Sequence, residues 1–273
     1  MSASEQSSSA ARMFAVARRD AAVLLSYQFA LLVRVLQAVV FVVTLYFISR
    51  LVQRPAVLGP YQGRYFEFAL VGAILVSFAT LGLGSFSQAI SEEQRVGTLE
   101  MLLGSPTRLA VVLAGAFVVP LALTGLEVVA YGIAGVLLGA HFSLSGVLLA
   151  LPVLALTIAT FCAMGILSAG FIVLTKRGDP FALIGTQATT LLAGSLFPVA
   201  VFPGWLQPLS KAVPAYYGLH GIRAALLTGA GLRVVAGDAA VLAAFAVALL
   251  PLSIAFFAWC VRVSRNAGTL GTY

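Results

Sequence analysis

Glu92, Glu93, Arg95 and Glu100 fall within one short stretch, Ser91 to Pro106, that also carries Leu99, Leu102 and Leu103 at i, i+3 and i+4. Charges set around a narrow apolar edge perform no covalent chemistry; they supply a hydrophobic anchor and an orientation for docking on another protein. Ser91 and Gln94 fit a capping box, and Gly97 ahead of Thr98 can break the backbone, so the stretch reads as a short amphipathic helix. An ordinary solvated connector has the same charge pattern, and spacing alone leaves both readings open.

Glu127 lies inside a long apolar run, where an ionisable group is costly and is by default a functional candidate, for example a proton site. The structural alternative is a carboxylate bonded to Tyr131, one turn further on, or to a neighbouring helix. Thr186, Gln187, Thr189, Thr190 and Ser195 form an unusually polar set in a later apolar run, suited either to lining a pathway or to bonding helix to helix. No serine, cysteine or histidine has a base in a visible nucleophile arrangement, so catalysis by the chain itself is not expected. His141 and His220 lack partners at metal-ligand spacing, and Cys162 and Cys260 lie far apart in apolar segments as packing residues.

The elements that position these residues follow from composition. Of 273 residues, 61% are hydrophobic and 9% charged, against about 25% charged in a soluble domain. A crossing of the hydrocarbon takes about 20 apolar residues, so the chain is predicted to be an all-α polytopic membrane protein. Six transmembrane helices are expected, near 31–49, 68–90, 106–140, 146–174, 181–196 and 239–261. Residues 1–30 read as a polar N-terminus with an interfacial amphipathic helix, 31–261 as the six-span domain, and 262–273 as a tail. Arg34 is expected to snorkel, Pro120 to bend the third span, and Asp179 with Pro180 to open the fifth. Pro198, Pro203, Pro208 and Pro214 break up an apolar, aromatic stretch after it, with Phe197, Trp205 and Tyr216 suited to the membrane boundary.

Six spans place both termini on one side. Most of the 16 basic residues, Lys176, Arg177, Arg262 and Arg265 among them, then fall on the same side, which the positive-inside rule makes cytoplasmic. Arg50, Arg54 and Arg64 on the first outer loop depart from it. The basic residues are scattered and form no stripe that could follow a nucleic-acid backbone, so no nucleic-acid partner is expected.

EEQRVGTLEMLLGSP, Glu92 to Pro106, resembles the glutamate-rich segment between the second and third spans of type 2 ATP-binding-cassette permeases. AGSLFPVAVFPGWLQPLSKAVPAYYGLHGIR, Ala193 to Arg223, resembles that family's signature after the fifth span, with its Phe-Pro pair, Pro-Trp turn and later Pro-Tyr element. The resemblance implies an exporter of a drug, a lipid or a lipid-linked glycan in a bacterial plasma membrane. Glu92, Glu93, Arg95, Gly97, Thr98, Leu99, Glu100, Leu102 and Leu103 would form the coupling element, and short re-entrant or surface helices would carry Phe197, Pro198, Pro203, Trp205, Pro214 and Tyr216. It places a pathway at a permease dimer interface, near the first and fifth spans, where Phe41, Tyr46 and Phe47 would face Thr186, Gln187 and Thr190.

A P-loop needs a glycine just before its lysine, and the only lysines follow Thr175 and Ser210. The chain therefore binds no cofactor on this reading; ATP and Mg would sit on a separate ATPase subunit. Two ATPase copies and a second permease chain, identical or homologous, are the implied partners, besides membrane lipids. An ion-coupled secondary transporter using Glu127 is the alternative function.

Overall fold

A computed structural model describes residues 28–51, 61, 64–97, 109–175, 179–229 and 231–266, and the described residues contain helices and no strand. The helices are α1 (Gln28–Leu51), α2 (Tyr65–Val96), α3 (Leu109–Leu137), α4 (Leu144–Thr175), α5 (Pro180–Leu192), α6 (Gln207–Ala212), α7 (Pro214–Arg223) and α8 (Leu232–Asn266). A 3₁₀ turn at Val199–Val201 precedes α6, and a π-helical turn, Ala224–Thr228, continues α7.

Five of these, α1, α2, α3, α4 and α8, are long and apolar enough to cross a membrane. The fifth expected span is shorter than the sequence suggested, a helix of 13 residues and so about 20 Å long against a hydrocarbon core of about 30 Å. Gly194, at φ 72°, ends the run.

α2 is the axis. The apolar window of α2 is 72% buried, against 11–33% for the windows of the other four long helices. Its small residues permit this: a methyl group on Gly165 of α4 would run into the carbonyl oxygen of Gly82, and one on Gly82 would press on Phe161. Backbone-to-backbone approach of this kind is how helices bind in lipid, where no hydrophobic force drives them together. One core then forms from Leu75, Ala79 and Leu83 of α2, Val153 and Phe161 of α4, Leu219 of α7 and Leu242 of α8. A second lies on the opposite flank, from Val42 and Leu45 of α1, Leu70 of α2 and Tyr131 and Ala134 of α3. A third joins Phe86, Ile172 and Phe257 toward the other end of α2, with Cys162 packed on it; Cys260 is fully buried.

α7 runs back along the first half of α4. Gly218 abuts Thr157, Gly221 abuts Val153, and Ala225 lies against Gly146. Arg64, at the start of α2, donates to the Leu227 carbonyl at 2.7 Å. At the far end Gln94 of α2 donates to the carbonyl of Ile172 at 3.4 Å, and the Ser264 hydroxyl to that of Val173 at 3.3 Å.

The stretch after the second span departs from expectation in one respect. Ser91 and Gln94 open no new helix; they lie within α2, which continues unbroken to Val96. Gly97 does end it, in the left-handed conformation at φ 78° with its N–H on the Gln94 carbonyl. Thr98, Leu99, Glu100, Leu102 and Leu103 lie outside the described residues, as do 1–27 of the expected interfacial segment and 267–273 of the expected tail; 28–30 and 262–266 belong to α1 and α8. Gly135 of α3 lies against Leu70 of α2, and Gly139, at φ 94°, follows the end of α3.

Gly165→Val should destabilise the protein by about 1–3 kcal/mol through overpacking against α2. Gly125→Ala, where an added methyl meets nothing within 4 Å, should raise stability by roughly 0.5–1 kcal/mol. Thermal unfolding of the purified chain in detergent checks both signs.

Candidate functional site

The flank of α2 left open between α1 and α3 on one side and α5 on the other carries Ser77, Thr80, Gly84, Gln88 and Ser91, a helical stripe of small and uncharged polar residues. Three cavities adjoin it. The largest, about 700 Å³, is bounded by Thr80, Gly84, Gln88, Ser91, Glu92 and Arg95 of α2 and by Asp179, Thr186 and Gln187. A second of about 370 Å³ continues past Ser77 and Thr80 to Arg34, Thr124 and Glu127. A third of about 140 Å³ lies toward the other end, among Phe41, Ser77, Tyr131, Thr190 and Ser195. Together they form one polar seam along α2.

Glu127 sits where three helices meet. Its Oε1 accepts from the Tyr131 hydroxyl at 2.7 Å and from the Ser77 hydroxyl at 3.0 Å, and its Oε2 pairs with Nε of Arg34 at 3.3 Å. A carboxylate inside a helix bundle is tolerated when charge and hydrogen bonds answer it, and here α1, α2 and α3 each contribute. The sequence offers a bond to Tyr131 or to a neighbouring helix; the carboxylate makes both, with Arg34 and Ser77 as the neighbours, and Arg34 forms an ion pair where snorkelling is expected.

α5 is held at both ends. Asp179 accepts from the Ala182 N–H at 2.8 Å as N-cap, as its place before Pro180 suggested, and from the Ser168 hydroxyl of α4. At the other end Arg223 is buried, 4% exposed. Its Nη1 donates to the Gly194 carbonyl at 2.8 Å, its Nη2 to those of Ser195 at 2.6 Å and Phe68 at 2.8 Å, and its guanidinium carbon lies 3.3 Å from the centre of the Phe68 ring. The carbonyls beyond a helix C-terminus carry partial negative charge, which a guanidinium answers without a carboxylate.

Between its two ties α5 turns Thr186 and Gln187 to the large cavity and Thr190 to the small one, while Thr189 is buried. Thr190 also bonds the Thr186 carbonyl at 2.9 Å. Of the α1 residues, Phe41 lines the small cavity beside Tyr131, at 6.1 Å between ring centres. Tyr46 packs edge-on against Phe66 and under Arg50, and Phe47 is exposed. The structure thus brings Phe41, Glu127, Thr186, Gln187 and Thr190 to one seam and leaves Tyr46 and Phe47 off it. Glu92 and Arg95 occupy its end, with Glu93 next to them in the same helical turn; Arg95 and Glu92, both exposed, pair at 3.0 Å.

Phe197 stacks edge-on with Phe202, Pro198 precedes the 3₁₀ turn, Pro203 and Trp205 are exposed, and Pro214 begins α7. Tyr216 stacks on His220, whose Nδ1 lies 2.7 Å from Asp238 of α8. No group of three or more metal-ligating side chains occurs among the described residues.

Residues 11–227 match the family described as ABC-2 type transporter. The chain belongs to that family. No curated protein shows significant similarity to it. It is thus a transporter permease subunit of an ABC system, a multi-pass membrane component that is not itself catalytic, from a family that typically works with an ABC ATPase subunit.

Ser77, Thr80 and Gln88 of α2 and the Arg223 clasp of this permease escaped the sequence reading. The stripe recurs at helical spacing within the second span and is visible once the span is drawn as a helix. Arg223 reads as one more basic residue, because its partners are backbone carbonyls from residues up to 155 positions away.

Arg223→Met should leave the Gly194 and Ser195 carbonyls without their donor, the Phe68 carbonyl keeping its place in the α2 ladder, and cost roughly 2 kcal/mol or more, at about 1–3 kcal/mol per unsatisfied group. Arg223→Lys, with charge but no fork, should recover part of that. Unfolding temperatures in detergent distinguish the two.

Proposed function

We propose that the permease exports a hydrophobic or amphipathic substrate, a drug, a lipid or a lipid-linked glycan, using ATP hydrolysed with Mg on a separate subunit. The observation that carries the proposal is the continuity of α2. The residues whose type marks them for docking, Glu92, Glu93 and Arg95, are the last turns of the helix that also bears Ser77 and the polar seam. A displacement at that end reaches the Glu127 cluster through a rigid element with no loop between.

Docking would use these side chains and the apolar edge from Thr98 to Leu103, with Glu100 among it. Two ATPase subunits and a second permease chain complete the assembly on this reading. The exposed apolar flanks of α1 and α5, including Phe47, Leu183, Ile184 and Leu191, suit contact with that chain or with lipid. The seam between these flanks would then become the pathway. Six crossings, with both termini in the cytoplasm of a bacterium and the plasma membrane as location, follow if α5 and the turns after it complete the fifth. The segment from Phe197 to Tyr216 would be the outer re-entrant element, since α7 returns along α4.

Ion coupling through Glu127 is the weaker reading. Both oxygens of the Glu127 carboxylate are already engaged, by Tyr131, Ser77 and Arg34, so it stands as part of a tie between helices and not as a free site.

Charge reversal of Glu92 and Glu93 together should reduce co-purification of the partner ATPase at least tenfold while the permease remains monodisperse. An undiminished complex would remove these residues from docking. Reconstituted flux should require ATP and survive Glu127→Gln; flux driven by an ion gradient and abolished by that substitution would establish the other reading.

A further inference from the structure

Beside the Glu127 cluster, between α1 and α3, lies a cavity of about 810 Å³. Phe29, Val33, Gln37 and Phe41, successive turns of one α1 face, form its wall, with Arg34, Glu127 and Tyr131 behind them. Arg34 contributes only its Nε to Glu127. Its two terminal amino groups have no hydrogen-bond partner among the described residues, and the side chain is 39% exposed. The carboxylate opposite is already answered by Tyr131, Ser77 and Arg34. What the cavity offers a ligand is therefore an unused guanidinium edge, the Gln37 amide one turn away, and aromatic and aliphatic walls.

We propose that this cavity is a binding site for an amphiphile with a single anionic head, a phosphate or carboxylate, whose chain lies along Phe29, Val33 and Phe41. A guanidinium edge presents two parallel N–H donors at the spacing of two oxygens of one phosphate or carboxylate. In hydrocarbon those donors need a partner, and water is scarce there. Phe29 is 77% exposed, so the apolar wall runs out to the surface and a chain can enter sideways. A cationic amphiphile would meet the guanidinium, and a small inorganic anion would leave the apolar walls unused. The proposal rests on the permease reading only in placing α1 and α3 in lipid. Its failure leaves coupling to an ATPase untouched, because binding is read on the chain without ATP.

The test is native mass spectrometry of the full chain in maltoside micelles, titrated with dodecyl phosphate, inorganic phosphate and dodecyltrimethylammonium. One dodecyl phosphate should bind per chain, at least tenfold more tightly than either of the others. Arg34→Gln should weaken it at least tenfold, Arg34→Lys less, and Glu127→Gln should strengthen it severalfold by removing the competing negative charge. If Arg34→Gln does not accumulate, the double variant with Glu127→Gln, which leaves no lone charge, should show the same loss. Equal binding of inorganic phosphate, equal binding of the cationic amphiphile, or an affinity indifferent to Arg34 would each overturn the assignment.

Discussion

Hydrocarbon supplies no hydrogen-bond partners, so a polar group on a membrane helix is tolerated only where another part of the protein answers it. Three ties between helices in this permease follow from that constraint. Glu127 draws Arg34 of α1 and Ser77 of α2 to α3. Asp179 ties the start of α5 to α4 through Ser168, and Arg223 gathers the carbonyls of Phe68, Gly194 and Ser195. Each is a polar contact between elements that apolar packing alone would leave free to slide, since Leu against Leu is little different from Leu against a lipid tail.

Two of these ties end on α2, at Ser77 and Phe68, and the glycines explain why it can occupy the centre. Gly82 lets α4 approach backbone to backbone, and Gly72 leaves room for the Ser195 carbonyl that Arg223 holds. The helix so enclosed is buried on the α4 flank and polar on the other, where α5 and the α1–α3 pair stand apart. Pinned at both ends, α5 presents Thr186, Gln187 and Thr190 to that seam. The same helix emerges as Ser91–Val96, so the polar seam and the charged end are two stretches of one rod.

Hydropathy made the long helices legible, because α1, α2, α3, α4 and α8 each contain an apolar run of sufficient length. The Asp179–Pro180 start and the Gly97 stop were also local, written in adjacent residues. The extent of α5 was not, because it ends where Gly194 takes a left-handed backbone and Arg223 captures the following carbonyls, a contact 29 residues away. The capping pattern at Ser91 misled for a related reason: Gln94 is buried and bonded to the Ile172 carbonyl of α4, and that tertiary contact carries the helix straight through. Glu127 was recognisable as a lone carboxylate in an apolar run, whereas its ion pair depended on the packing of α1 against α3.

On the proposed function, motion passes from the ATPase to the seam along an unbroken α2. It is tested by pulsed electron double resonance between spin labels at Gln88 and Leu183, which flank the large cavity, in a chain with Cys162 and Cys260 replaced and assembled with its ATPase. Trapping the ATP-bound state should change the label distance, and Ser91→Pro, which kinks the helix where the seam meets the docking end, should abolish the change while the ATPase stays bound. A distance change that persists with the proline in place would contradict transmission through α2.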